Sequence, residues 1–216
     1  MISIKQRYQR IIEYFEKNLP FAESELTFSS PYQLFVAVIL SAQCTDKRVN
    51  LITPNFFKNI NNFKTLATSN TEDVFNLIKS CSYPNNKTSH LIKGARYIVE
   101  NYNCKIPASF DEIIKIPGVG RKTANVLLSV LYKSPVMAVD THVFRISKRI
   151  GLVENAKTPY DVEKQLEKNI QSDKIPLAHH WLLLHGRYVC KARKPLCEEC
   201  GISQFCLYFE KNNKNE

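Results

Sequence analysis

Apolar residues recur at helical spacing almost from end to end of this chain, and no stretch alternates with period two for long enough to make a strand. That regularity restricts the fold class to all-α. Ile4, Tyr8, Ile11, Ile12, Phe15 and Leu19 mark one face of a first helix, ended by Pro20. Ser30-Pro31-Tyr32-Gln33 reads as a capping box with proline at the first helical position. The run Leu34 to Leu40 is apolar on all sides, so its helix belongs in the middle of the fold. Thr45 caps a helix over 46–57, Thr71-Glu72-Asp73 opens another, and Leu91, Ala95, Ile98 and Tyr102 line a further one. Ser109 to Glu112 is a second capping box, for a short helix reaching Ile116. Asp140 caps a helix that ends before Gly151, Thr158-Pro159 opens one reaching Asn169, and a long helix covers 176–189. The Asn-rich stretch 55–62 and the tail 211–216 read as exposed.

With 216 residues, 44% of them apolar and 23% charged, the chain can bury a core without disulfides. No stretch approaches the roughly 20 apolar residues of a membrane helix, and Met1 to Lys17 lacks the apolar core of a secretory signal. The expected location is the cytoplasm, with the nucleoid. The net charge is +10 and is spread evenly, 13 basic against 8 acidic groups in residues 1–108 and 17 against 12 in residues 109–216. A basic globular body favours a polyanion partner, most often nucleic acid.

Ile116-Pro117-Gly118-Val119-Gly120-Arg121-Lys122-Thr123-Ala124 lies between two helical patterns. Pro117 stops the first helix. Gly118 and Gly120 permit positive φ and close approach of a ligand to the backbone. Val119 can plug the turn into the core. The following helix start, together with Arg121, favours a phosphate. A bare helix–helix turn is the bland alternative, but the whole string in a basic chain favours backbone-only contact with DNA. Such contact positions DNA without reading its sequence.

Lys122 sits where a cation is disfavoured, at a helix N-terminus beside Arg121. Both effects push the amine toward its neutral, nucleophilic form, which can make a Schiff base with a sugar aldehyde. The competing reading is a solvated surface lysine. Asp140 follows an apolar segment, Val136 to Val139, at the start of a helix. It is most simply an N-cap, and it can be a functional acid as well.

Seven cysteines in a chain with no signal peptide argue against a disulfide framework. Cys44, Cys81 and Cys104 are scattered and read as core or surface thiols. Cys190, Cys197, Cys200 and Cys206 crowd into 17 residues. Four thiolates in a compact loop fit either zinc or a [4Fe–4S] cluster, and the spacing alone does not choose.

Together these features resemble the endonuclease III family of base-excision repair DNA glycosylases. The resemblance runs from about Leu34 to Phe205. It rests on Leu40-Ser41-Ala42-Gln43-x-Thr45-Asp46, the string 116–125, Ala138-Val139-Asp140-Thr141-His142, His185-Gly186-Arg187 and the four-cysteine spacing. It implies a two-lobed helix-hairpin-helix glycosylase fold with a C-terminal iron–sulfur loop. One lobe is residues 24–134, and the other joins 1–23 to 135–216, with the active site between them. It implies Lys122 as the nucleophile at the sugar and Asp140 as the acid that assists base departure and proton transfer. The loop with Gly118, Gly120 and Arg121 matches the hairpin that clamps DNA. Cys190, Cys197, Cys200 and Cys206 match the ligands of a [4Fe–4S] cluster, which chooses iron over zinc. Gln43 matches the residue that fills the gap left by the flipped base. Lys191, Arg193 and Lys194 match a contact to the DNA backbone.

The activity implied is excision of damaged bases, oxidised pyrimidines above all, from duplex DNA, followed by a β-elimination nick at the abasic site. The base must leave the stack to be reached, so the duplex must be bent and wedged. The partner is then double-stranded DNA carrying a damaged base or abasic site, with no membrane and a monomeric enzyme. One segment departs from the family: Ser82-Tyr83-Pro84-Asn85-Asn86-Lys87 stands where a Gly-Leu-Tyr-Asn type of segment is usual, which puts Tyr83 at the wedge. His142, His179, His180 and His185 read as packing or hydrogen-bonding groups.

Rival readings are weaker. An adenine-excising relative lacks the lysine and carries a glutamate before the Gln loop, whereas Phe35 to Leu40 holds no acid. A non-enzymatic DNA clamp needs neither Lys122 nor Asp140. A zinc-stabilised adaptor would be colourless, and an iron–sulfur protein is brown.

Overall fold

A computed structural model describes residues 2–213. The helices are α1 (Ile4–Asn18), α2 (Pro31–Ser41), α3 (Asp46–Asn59), α4 (Phe63–Thr68), α5 (Thr71–Ile78), α6 (Pro84–Tyr102), α7 (Phe110–Ile113), α8 (Arg121–Tyr132), α9 (Thr141–Ile150), α10 (Pro159–Asn169), α11 (Ile175–Tyr188) and α12 (Leu207–Asn213). Among the described residues there is no strand, and no helix is long and apolar enough to cross a membrane. The chain divides into two compact units, Ser24–Tyr132 and Met1–Glu23 with Lys133–Glu216.

In the unit Ser24–Tyr132, α2 is the axis. Leu34 through Leu40 are all buried, as a helix apolar on every side must be, and α3, α6 and α8 pack around it. Ser30 caps α2 by accepting from the Gln33 N–H, but the reciprocal half of the box is displaced: Gln33 Oε1 takes the Ser29 N–H at 2.7 Å. α5 opens at Thr71 as expected, and Asn70 before it is the cap, its Oδ1 accepting the Glu72 N–H at 2.8 Å. The Ser109 capping box does not form. Ser109 makes no side-chain cap, and α7 is a single turn that stops at Ile113. The Asn-rich stretch hides an alternation the composition obscures, with Phe56 and Ile60 buried while Asn55, Asn59, Asn61 and Asn62 are exposed. Asn62 then caps α4, a helix the sequence pattern did not reveal.

In the other unit the N-terminal helix packs with the C-terminal half. Phe15 stacks on the fully buried Trp181 of α11, with ring centroids 5.9 Å apart. The Trp181 indole N–H donates to the Leu19 carbonyl at 2.7 Å, which fastens the end of α1. Arg7, also buried, donates to the Phe205 carbonyl at 2.8 Å and to the Gly151 carbonyl at 3.3 Å. Thr158 and Asp161 form a complete capping box on α10. Of the tail expected to be exposed, Lys211 and Asn212 are exposed at the end of α12, and 214–216 lie outside the described residues.

Candidate active site

In the unit Ser24–Tyr132, the turn between α7 and α8 is built as its residues dictate. Ile116 and Val119 are buried, and the Val119 N–H returns to the Ile116 carbonyl at 3.0 Å. Gly118 has φ +86°, and a Cβ there would come within 2.5 Å of His90 Cβ, so two independent constraints demand glycine. Gly120 differs from expectation. It has no positive φ, and a Cβ on it would meet nothing within 4 Å. No protein contact therefore explains a glycine there. The Arg121 guanidinium lies over the Phe110 ring at 4.8 Å, and Lys122 is exposed on the first turn of α8.

Gln43 and Tyr83, expected on separate DNA-contacting loops, are brought together in the same unit. Both are exposed, and both take left-handed backbone, φ 53° and 52°, without being glycine. The Ser82 hydroxyl donates to the Gln43 carbonyl at 2.6 Å, and the Lys87 ammonium donates to the Leu40 carbonyl at 2.7 Å and to Ser82 Oγ at 3.2 Å. Lys87 is only 4% exposed, and burial lowers its pKa below the usual lysine value. Pro84 at the first position of α6 leaves Tyr83 to turn the chain, with 62% of its surface exposed. Ser82 and Lys87 were missed as supports, because a lysine inside an amphipathic helix ordinarily reads as solvated.

In the other unit Asp140 caps α9. Its Oδ1 accepts the Val143 N–H at 2.8 Å, and the carboxylate is half-buried. Lys122 and Asp140 thus stand on different units.

The same unit carries the cysteine loop. Cys190, Cys197, Cys200 and Cys206 line one cavity together with Arg149, His185 and apolar side chains. Short turns shape it: the Cys190 N–H bonds to the His185 carbonyl, Cys200 to Cys197, and Cys206 to Ser203. Arg149 donates to the Lys191 and Ala192 carbonyls at 2.7 and 2.6 Å, and Arg145 to the Gly186 and Cys190 carbonyls at 2.6 and 3.0 Å. These two arginines are further supports that spacing did not signal. Lys191, Arg193 and Lys194 are all exposed. Burial, reinforced by mutual repulsion, raises the Cys197, Cys200 and Cys206 thiols, Cys200 to about 11. A cationic centre must displace those protons on binding. Four thiols lining one cavity are an all-sulfur donor set that fits a [4Fe–4S] cluster as well as zinc.

Of the histidines, His185 lies edge-on to Phe15 and 3.5 Å from Cys200 Sγ, and burial lowers its pKa to about 4. His179 and His180 pack against each other, and His142 lies 3.4 Å from Arg145.

Residues 36–172 match the family model of the HhH-GPD superfamily base excision DNA repair proteins, and residues 190–206 match the iron–sulfur binding domain of endonuclease III. Endonuclease III of Rickettsia prowazekii is 46% identical over 94% of this chain and 96% of its own length. The Escherichia coli protein of that name is 39% identical over 96% and 98%. This chain belongs to the endonuclease III family. A solved structure of a trapped endonuclease III–DNA covalent intermediate superposes with a TM-score of 0.92 at 37% identity, covering 99% of this chain and all of that one. A thermostable thymine-DNA glycosylase, 22% identical with a TM-score of 0.83, shares the fold. As in the endonuclease III family generally, the cofactor is a [4Fe–4S] cluster.

Proposed function

We propose a division of labour among the residues of this endonuclease III family member. The protein is a base-excision repair enzyme, a DNA glycosylase and abasic-site lyase that acts on damaged DNA. Its substrates are oxidised pyrimidines in duplex DNA. The observation that carries the assignment is the position of Lys122, exposed on the first helical turn after the Gly118–Gly120 turn.

Gly120 leaves its backbone open to a phosphate, and the helix start and Arg121 add favourable charge. Tyr83 wedges the duplex and Gln43 fills the gap behind the extruded base. The Lys122 amine attacks C1′ of the damaged nucleotide, and the base leaves with the bonding electrons and takes up a proton. The attached sugar opens to an imine as the nitrogen gives up a proton. Loss of a proton from C2′ then expels the 3′ phosphate, which nicks the strand, and water releases the enzyme. Asp140 stabilises positive charge on the sugar and carries protons. The Val143 N–H holds one of its oxygens, so the other is oriented for that work.

Cys190, Cys197, Cys200 and Cys206 hold the cluster. When bound, it ties the loop into one knot and so gives the exposed Lys191, Arg193 and Lys194 a fixed shape for the DNA backbone. The enzyme works as a single copy in the cytoplasm, at the nucleoid, a reading supported by a net charge of +10 suited to a polyanion.

Borohydride trapping on an abasic-site duplex tests the central step. Wild type should give a covalent protein–DNA band, and Lys122→Gln should give none. Absence of the band from folded, brown wild-type protein would sink the lyase assignment to Lys122.

A further inference from the structure

The two cysteines that looked scattered in sequence meet in space. Cys44 Sγ and Cys81 Sγ are 3.9 Å apart. Cys44 follows Gln43 directly, and Cys81 lies two residues before Tyr83. We propose that Cys44 and Cys81 are a redox modification site, a dithiol that closes to a disulfide and ties the Gln43 turn to the Tyr83 turn.

The geometry requires little. A disulfide brings two sulfurs to about 2.05 Å, so the pair must approach by about 2 Å. The two segments are already tethered beside the sulfurs by the bond from Ser82 Oγ to the Gln43 carbonyl and by Lys87, which reaches both Leu40 and Ser82. Access is unequal. Cys44 is half-exposed and Cys81 is buried. Burial, reinforced by the neighbouring Cys44 thiol, pushes the Cys81 thiol up to about 11, and Lys87 and Arg48 offset this only in part. Cys44 is therefore the sulfur a reagent reaches first, and Cys81 is the resolving partner.

With a small-molecule disulfide as oxidant, the Cys44 thiolate attacks one sulfur and expels one thiolate, leaving a mixed disulfide. The Cys81 thiolate then attacks the Cys44 sulfur and expels the second. The two cysteines lose two protons and two electrons, and the oxidant becomes two thiols. Pairing of the cysteines is independent of the proposed function. Its consequence for excision rests on that function, in which Gln43 and Tyr83 enter the duplex and must adjust separately to it.

The test uses the cluster-containing holoenzyme and glutathione disulfide. The visible absorbance of the cluster checks that the iron site stays intact. Cys104, half-exposed and remote in sequence, serves as an internal control. Mass spectrometry of a digest should find the Cys44 and Cys81 peptides linked in wild type and unlinked in Cys44→Ser and Cys81→Ser. Single-turnover excision by oxidised wild type should fall by about tenfold, as for a gating step held shut, and recover with dithiothreitol. Cys44→Ser should not respond to the oxidant. If Cys104 becomes glutathionylated while Cys44 and Cys81 stay as thiols, the site does not exist. A linked pair with unchanged excision would overturn the locking of the turns. Reduced wild type that excises nothing would remove the functional reading instead, and the mass measurement would still decide the pairing.

Discussion

The turn at Gly118 and the paired turns at Gln43 and Tyr83 lie in one unit and both use positive φ, but they reach it by opposite means. At Gly118 the residue itself removes the obstacle: there is no Cβ to strike His90, and left-handed backbone costs glycine little. At Gln43 and Tyr83 the side chains remain, and the surroundings hold the backbone. Ser82 and Lys87 provide that hold through three hydrogen bonds. Left-handed backbone costs an ordinary residue about 1–2 kcal/mol, and such positions persist where neighbouring structure over-determines them. The contrast separates a turn that makes a shape from turns that keep particular side chains exposed.

The largest effect should come from Gly118→Ala. It combines a disfavoured φ of +86° with a contact of 2.5 Å to His90 Cβ, and about 3 kcal/mol of stability should be lost. Gly120→Ala is its partner measurement. Its Cβ meets nothing within 4 Å, so stability should stay within about 0.5 kcal/mol, while affinity for an abasic-site duplex falls. Denaturant melts and binding titrations of the two variants decide the matter. Equal destabilisation by both would mean that Gly120 is structural and that no ligand accounts for it.

Much of this is legible in the sequence alone. Helical period, proline at helix starts, the Asp140 cap and the Gly118 turn are local, so they are written in neighbouring residues. The Lys122 and cysteine assignments also needed the family resemblance, because a lysine on a helix start has many bland uses. What could not be read was non-local. Lys87 reaches back to Leu40, Cys44 meets Cys81, and Arg149 grips the backbone of the cysteine loop. Each pairing is set by how helices pack, and no period or spacing encodes it. The Ser109 box failed for a related reason: a one-turn helix can pack without a side-chain cap.

Lys87→Met ranks second. It strands the Leu40 carbonyl and removes the hold on Ser82, for an expected loss of about 2 kcal/mol, together with slower excision. The pH dependence gives the sign independently. Burial holds the folded pKa of Lys87 below its ordinary 10.5. Between that lowered value and 10.5 the unfolded chain binds more protons, so this group makes stability rise with pH across that window. Wild type should therefore gain stability relative to Lys87→Met as pH is raised from the lower edge of the window toward 10.5, as read from paired denaturant melts. If Lys87→Met is as stable as wild type and excises normally, the turns at Gln43 and Tyr83 are held by something else, and the contrast with Gly118 fails.

The smallest effect should have the opposite sign. Gln43→Gly and Tyr83→Gly each relieve a left-handed residue, φ 53° and 52°, but glycine also loses about 0.5–1 kcal/mol in unfolded-chain entropy. The net expectation is a gain of about 0.5 kcal/mol per site. Gln43→Asn is the cleaner variant, since asparagine tolerates this backbone and keeps an amide. It should be slightly more stable than wild type and yet slower in excision, because its amide ends one methylene short. Stability gained together with activity lost is the signature of a residue retained for what its side chain does. Stability lost at both positions would mean that these side chains are packing groups, and the left-handed backbone would then be a consequence of packing rather than a cost accepted for contact with DNA.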